Sequence, residues 1–149
     1  MDRTDSEIIL LLQQNARISM SEISSRVNLS VSAVSERLKK LESSGYISKY
    51  TAILDPAGFG KTLFLFLTME IRSLKDLAEV ESFIQNEPDI LEYHKLAGSS
   101  RALLKIVTEN VLSLQRITDG LKQFDSIGYM KAEMISSSPK TNASIQPVL

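Results

Sequence analysis

The sequence predicts an α+β protein built in two parts, a small all-helical unit followed by a mixed unit of strands and helices. Three observations predict it. Apolar residues recur at helical spacing in three short stretches before Gly45. Residues 55–62 begin with Asp55-Pro56-Ala57-Gly58-Phe59-Gly60, dense in turn formers, and read as a linker. Beyond it, extended and helical patterns follow in the order strand, helix, strand, strand, helix, strand.

Thr4-Asp5-Ser6-Glu7 reads as a capping box that opens the first helix. Ile8, Ile9, Leu11 and Leu12 give that helix one apolar face, and it should end near Asn15. Ser19-Met20-Ser21-Glu22 is a second capping box, opening a short helix through Ile23 and Val27. Asn28 and Leu29 make a tight turn without glycine, because Asn tolerates the left-handed region. Ser30 caps a third helix whose stripe is Val31, Val34, Leu38 and Leu41, and Gly45 stops it. Two helices, a short turn and a third helix with a polar face is helix-turn-helix grammar. Residues 46–54 then alternate loosely as an extended arm, so the first domain spans 1–54.

The second domain, 63–136, opens with a strand from Leu63 to Arg72. A helix begun near Asp76 carries Leu77, Val80, Phe83 and Ile84 and stops before Pro88. Strands at Ile90–Leu96 and Ala102–Thr108 flank the turn Gly98-Ser99-Ser100. Val111, Leu114, Ile117, Leu121 and Phe124 form the next helix, with Gly120 as a weakness inside it. A strand from Tyr129 to Ile135 closes the set, giving the order of a ferredoxin-like βαββαβ sandwich. Residues 137–149 form a polar tail with Pro139 and Pro147, expected to be loosely held or draped on a neighbour.

Composition narrows the function. With 43% hydrophobic residues the chain should fold, and no apolar run nears the roughly 20 residues of a membrane helix. The polar N-terminus does not resemble a signal peptide, and the absence of cysteine removes disulfides, thiolate chemistry and cysteine-ligated zinc. A cytoplasmic protein without cofactors is the expectation. Net charge is −1, so any nucleic-acid binding must rest on local clustering. Through Tyr50 there are seven basic against six acidic residues, and ten against twelve afterwards.

Enzymatic chemistry finds no footing. Gly60-Lys61-Thr62 resembles the end of a phosphate-binding loop, but Asp55 stands where the first glycine is needed and a strand follows where a helix should. His94 is the only histidine and reads as a sheet residue, so with no second histidine and no cysteine the usual ligands of a zinc site are missing. Gly98-Ser99-Ser100-Arg101-Ala102 lacks the final glycine of a nucleophile elbow. Glu79, Glu81, Glu87 and Asp89 read as solvated charges. What remains is the third helix, whose polar face carries Ser32, Ser35, Glu36, Arg37, Lys39 and Lys40. Small hydroxyl side chains in the first turn and cations later suit a helix that enters a DNA major groove and meets phosphates at its basic end. An amphipathic core helix with a solvated face is the alternative.

The first strand adds an expectation about assembly. In Leu63-Phe64-Leu65-Phe66-Leu67 both alternating faces are apolar, whereas a sheet covered by helices on one side normally shows water the other. These five residues point to a homodimer with sheets packed face to face, against the alternative of a central strand buried in a monomer.

Order and residues together resemble the leucine-responsive/asparagine regulator (Lrp/AsnC, feast/famine) family of transcription regulators. The resemblance is densest at Leu29-Ser30-x-Ser32-x-Val34-x-x-Arg37-Leu38-x-x-Leu41-Glu42-x-x-Gly45-x-Ile47-x-x-Tyr50-Thr51-Ala52, with Asp5-x-x-Ile8-Ile9-Leu10 and Asn15-x-Arg17-Ile18-Ser19 before it. It implies a winged-helix-like reader of double-stranded DNA joined to a ferredoxin-like sensing domain, a dimer, and often an octamer or disc. It places Ser32, Ala33, Ser35, Glu36 and Arg37 at base edges, and Ser30, Lys39 and Lys40 at phosphates. An Arg37 fork would match the acceptor pair of guanine, and a surface ion pair is its alternative role. The effector loop implied by the family is Gly98-Ser99-Ser100-Arg101, where a guanidinium stands in place of the usual Asp and would favour an anionic ligand or neutralise an oligomer contact. The main reading is a sequence-specific transcription regulator modulated by a small molecule. The alternative is a sensing or assembly module that binds DNA without sequence choice.

Overall fold

The computed structural model describes residues 1–141, 144, 145 and 147. Its elements are α1 (Arg3–Gln14), α2 (Met20–Val27), α3 (Val31–Ser43), β1 (Leu63–Ile71), α4 (Leu77–Asn86), β2 (Ile90–Lys95), β3 (Arg101–Thr108), α5 (Val111–Lys122) and β4 (Ile127–Met134). The chain divides into two compact units. One is Met1–Ile53 with the described residues from Lys140 onward, and the other is Leu54–Pro139.

In the first unit α1, α2 and α3 close around Ile8, Ile23, Val34, Leu38 and Leu41, all buried. Local chemistry fixes the helix ends. Ser19 and Ser30 accept the Glu22 and Ala33 N–H groups as N-caps. Asn28 takes the left-handed turn at φ 54 that lets α3 follow α2 at once. Gly45, at φ 75, donates to the Glu42 carbonyl while Tyr46 donates to that of Leu41, a Schellman closure of α3. The arm then runs extended without strand pairing, and the Tyr50 hydroxyl ties it to Glu42 at 3.0 Å.

The start of α1 differs from the expected Thr4 cap. Asp2 is the N-cap, and it forms the capping box with Asp5: the Asp5 N–H donates to Asp2 Oδ1 at 2.8 Å and the Asp2 N–H to Asp5 Oδ2 at 2.9 Å. Both Asp2 and Thr4 can cap, and a partner from α3 decides between them, as shown below. The expected loose tail is also tied in part. Gln13 pairs its side-chain amide with the main chain of Ile145 in both directions, at 2.9 and 2.7 Å. The expectation for residues 142, 143, 146, 148 and 149 lies outside the described residues.

The second unit is a four-stranded antiparallel sheet of order β2-β3-β1-β4. Leu65, Leu67 and Met69 from β1 and Ala102, Leu104 and Ile106 from β3 meet Val80, Ile84, Leu114, Ile117 and Leu121 from α4 and α5 in one core. Gly120 is no weakness here. A Cβ at that position would fall 2.5 Å from the Phe83 ring, which also meets Phe124 edge to face at 6.0 Å. The missing side chain is what lets the two helices share that ring.

Asp89, expected to be solvated, is instead buried among Lys61, Thr108 and the end of β3. Burial alone would push its carboxyl up, but hydrogen bonds from Lys61 and Thr108 and the charges of Lys61 and Arg116 outweigh it and hold it below its usual range. A carboxylate depressed in the folded state contributes stability above its ordinary value near 3.9, and that stability is lost as pH falls through the depressed value. The melting temperature of this unit is therefore expected to fall on acidification below about pH 4. Asp89→Asn should flatten that slope in melts followed by circular dichroism. An acid slope identical in the variant would rule the group out.

Candidate nucleic-acid interface and effector concavity

The face of α3 opposite its core stripe is left bare. Ser32, Glu36, Lys39 and Lys40 are exposed, while Ala33 and Ser35 are half-buried on its margins. The Ser30 hydroxyl is occupied as the helix cap and lies 3.0 Å from that of Ser32.

Arg37, placed at a base edge from the sequence, points elsewhere. It lies between Val34 and Leu38 in sequence, so the helical rotation sets it on the flank of the apolar stripe, beside the start of α1. Its Nη1 donates to Asp2 Oδ2 and to Asp5 Oδ1, each at 2.6 Å. Each carboxylate thus divides its oxygens, one closing the capping box and the other holding the guanidinium. The Asp5 N–H first, and then the Arg37 hydrogen bond, hold the Asp2 carboxyl below its usual range. The Asp5 side chain is 9% exposed and that of Arg37 33%. Of the two roles open to Arg37 in the sequence, the ion pair is the one this geometry displays.

On the sheet, the alternation of β1 sorts the five residues expected at a dimer interface. Leu65 and Leu67 point into the core beneath the helices and are fully buried, and Leu63 packs against the same core. These three are unavailable to a second chain, because successive side chains leave a strand on opposite faces. Phe64 and Phe66 face the uncovered side, where Phe66 is 37% exposed. Leu103 lies on the same face by register with Thr68, and ion pairs Lys105–Glu92 at 2.8 Å and Lys131–Glu133 at 2.7 Å border the strip. His94 bonds Glu92 at 3.1 Å on that face.

The same face carries a concavity of about 520 Å³ lined by Thr68, Glu70, Ser99, Ser100, Arg101, Tyr129, Lys131 and Glu133. Three of the four expected effector-loop residues line it. Gly98, at φ 80, instead makes the turn that brings the strands together. Glu70, Tyr129, Lys131 and Glu133 escaped the sequence reading. Their signal is alternation on β1 and β4, but only the strand register places Glu70 opposite Arg101 and Thr68 opposite Lys131.

Residues 1–48 match the family model for winged helix-turn-helix DNA-binding domains, and residues 62–145 match that for the Lrp/AsnC ligand binding domain. The chain is 32% identical over 145 residues to the HTH-type transcriptional regulator Zrp of Zymomonas mobilis, covering 93% of this chain and 95% of that protein. It is 34% identical over 119 residues to the HTH-type transcriptional regulator FL11 of Pyrococcus horikoshii, covering 80% and 78%. Among solved structures it superposes on a transcriptional regulator from Neisseria meningitidis in complex with L-Met, with TM-score 0.90, 28% identity, and 97% and 96% of the two chains covered. The AsnC structure from E. coli, at 20% identity and TM-score 0.87, shares the fold over 99% of each chain. Among the described residues no helix is long and apolar enough to cross a membrane.

Proposed function

The chain belongs to the Lrp/AsnC family of transcriptional regulators, and from that membership we propose that it reads operator DNA with the bare face of α3 as a homodimer, under the control of a small-molecule effector. The observation that carries this is the uncovered row Ser32, Glu36, Lys39 and Lys40 on a helix whose other side buries Val34, Leu38 and Leu41 in its own core, leaving Val31 of the expected stripe exposed. Ser32 and Glu36 sit in the N-terminal half and supply groups for base edges, while Lys39 and Lys40 supply the phosphate contacts further along. Arg37 takes a supporting part, holding α3 against α1 through Asp2 and Asp5.

The dimer is read from Phe64 and Phe66, two large apolar side chains on an open sheet face bordered by ion pairs. The effector is read from the concavity at Ser99, Ser100 and Arg101. Support for a small-molecule role comes from the Neisseria meningitidis neighbour, which is described as a complex with L-Met.

Selection of bound sequences from random DNA tests the first part. A regulator should enrich a palindromic site with half-sites about one helical turn, or a multiple, apart, and prefer it by orders of magnitude over random duplex. Enrichment of nothing would favour DNA binding without sequence choice. The double substitution Lys39→Ala with Lys40→Ala is expected to weaken specific and random DNA alike. It should reduce the slope of log K against log salt by about 2 per protomer, as read from fluorescence anisotropy titrations at several salt concentrations. An unchanged slope would remove these two lysines from the interface.

A further inference from the structure

We infer that Arg101 makes the sheet-face concavity a site for an acidic amino acid, with the side-chain carboxylate of the ligand on Arg101 and its ammonium on Glu70. This rests on the effector reading above and adds the chemical class. Glu70 and Arg101 face each other across β1 and β3, yet they form no ion pair. The reason is a competing grip. Glu70 Oε2 lies 3.3 Å from Arg72 Nε and accepts the Tyr129 N–H at 3.4 Å. This arrangement is possible only because residue 128 is glycine, where a Cβ would come within 2.4 Å of that oxygen.

Both bonds fall on Oε2, so the second oxygen of Glu70 is open to an ammonium. Lys131 is engaged with Glu133 at 2.7 Å. Among the described residues Arg101 is the cation of this concavity without an ion-pair partner. A free guanidinium fork is the group best shaped for a carboxylate. The rest of the lining is hydroxyl and charged apart from the Tyr129 ring. An aliphatic side chain gains nothing from that guanidinium, whereas the side-chain carboxylate of an acidic amino acid pairs with it, and the α-carboxylate meets the hydroxyls of Ser99, Ser100 and Thr68 and the Lys131 ammonium. At about 520 Å³ the concavity has room for an amino acid with water beside it.

Calorimetric titration of the full chain with L-glutamate, L-aspartate, L-leucine and L-methionine tests the assignment. Glutamate or aspartate is expected to bind at least about tenfold tighter than leucine or methionine. Arg101→Gln should abolish that preference, while Glu70→Gln should weaken all four alike, since each carries an ammonium. Leucine or methionine binding as tightly as glutamate would overturn the inference and leave the effector reading standing. So would an Arg101→Gln protein, folded by its melting curve, that keeps the preference. No heat from any of the four at millimolar concentration would end both the inference and the amino-acid effector reading beneath it.

Discussion

Phe66→Glu is expected to leave the protein a monomer at micromolar concentration, with a sedimentation mass of one chain where the parent shows two. The substitution removes an apolar ring whose exposed 37% would gain about 0.5–1 kcal/mol when a partner covers it. A twofold axis makes the loss count twice, which by itself raises Kd by roughly 10-fold. It also sets a carboxylate on the open face, one strand from Glu133 in the β1–β4 register. The core should be untouched, since Phe66 points away from Leu65 and Leu67 and into the uncovered side. The variant should therefore still melt in one cooperative transition, at a midpoint below the parent's by the lost dimer linkage and no longer dependent on protein concentration. Binding to a palindromic site should fall with the mass, because two readers at a fixed spacing are lost together. A parent that already sediments as a monomer would end the dimer proposal outright.

Arg37→Ala is expected to act through the fold of the reader and not at a base. Losing the guanidinium strands the nearly buried Asp5 carboxylate and uncouples α3 from the start of α1. Discounted for the exposure of Arg37, the cost should be about 1–2 kcal/mol. In a unit this small that is a drop in melting temperature on the order of 5 °C or more. Specific and random DNA should weaken together. Asp5→Asn, which touches no outward residue of α3 and leaves Arg37 paired with Asp2, should lower the melting temperature by less, with DNA binding close to the parent's. An Arg37→Ala protein with the parent's melting temperature and a loss confined to one position of the operator would reverse the assignment and make Arg37 a base reader.

Sequence periodicity carried the architecture because each element is specified by its neighbours along the chain. Ser19, Ser30, Asn28 and Gly45 do their work within a few residues, so their roles at helix ends could be read directly. Arg37 could not be resolved in the same way. Its partners lie 35 and 32 residues away, and a polar residue on the edge of an amphipathic stripe is compatible with solvent, DNA or a second helix. The same blindness hid the capping role of Asp2, since Thr4 is an equally plausible cap until Arg37 draws both carboxylates together. On the sheet, the apolar run of β1 signalled two apolar faces without saying which residues fill which. Only the register separates Phe64 and Phe66 from Leu63, Leu65 and Leu67, and only the register sets Glu70 against Arg101. Asp89 looked solvated because Lys61 and Thr108 are 28 and 19 residues from it.

The clasp at the beginning of α1 has a practical side. Asp2 gives its own N–H to Asp5 and its carboxylate to Arg37, so a residue lying just ahead of α1 braces the helix proposed to lie in the groove. A bulky label attached beside Asp2 would bear on that brace. Affinity measured on such a labelled protein would then report the label as well as the operator, and a label placed away from Asp2 is the safer choice for binding work.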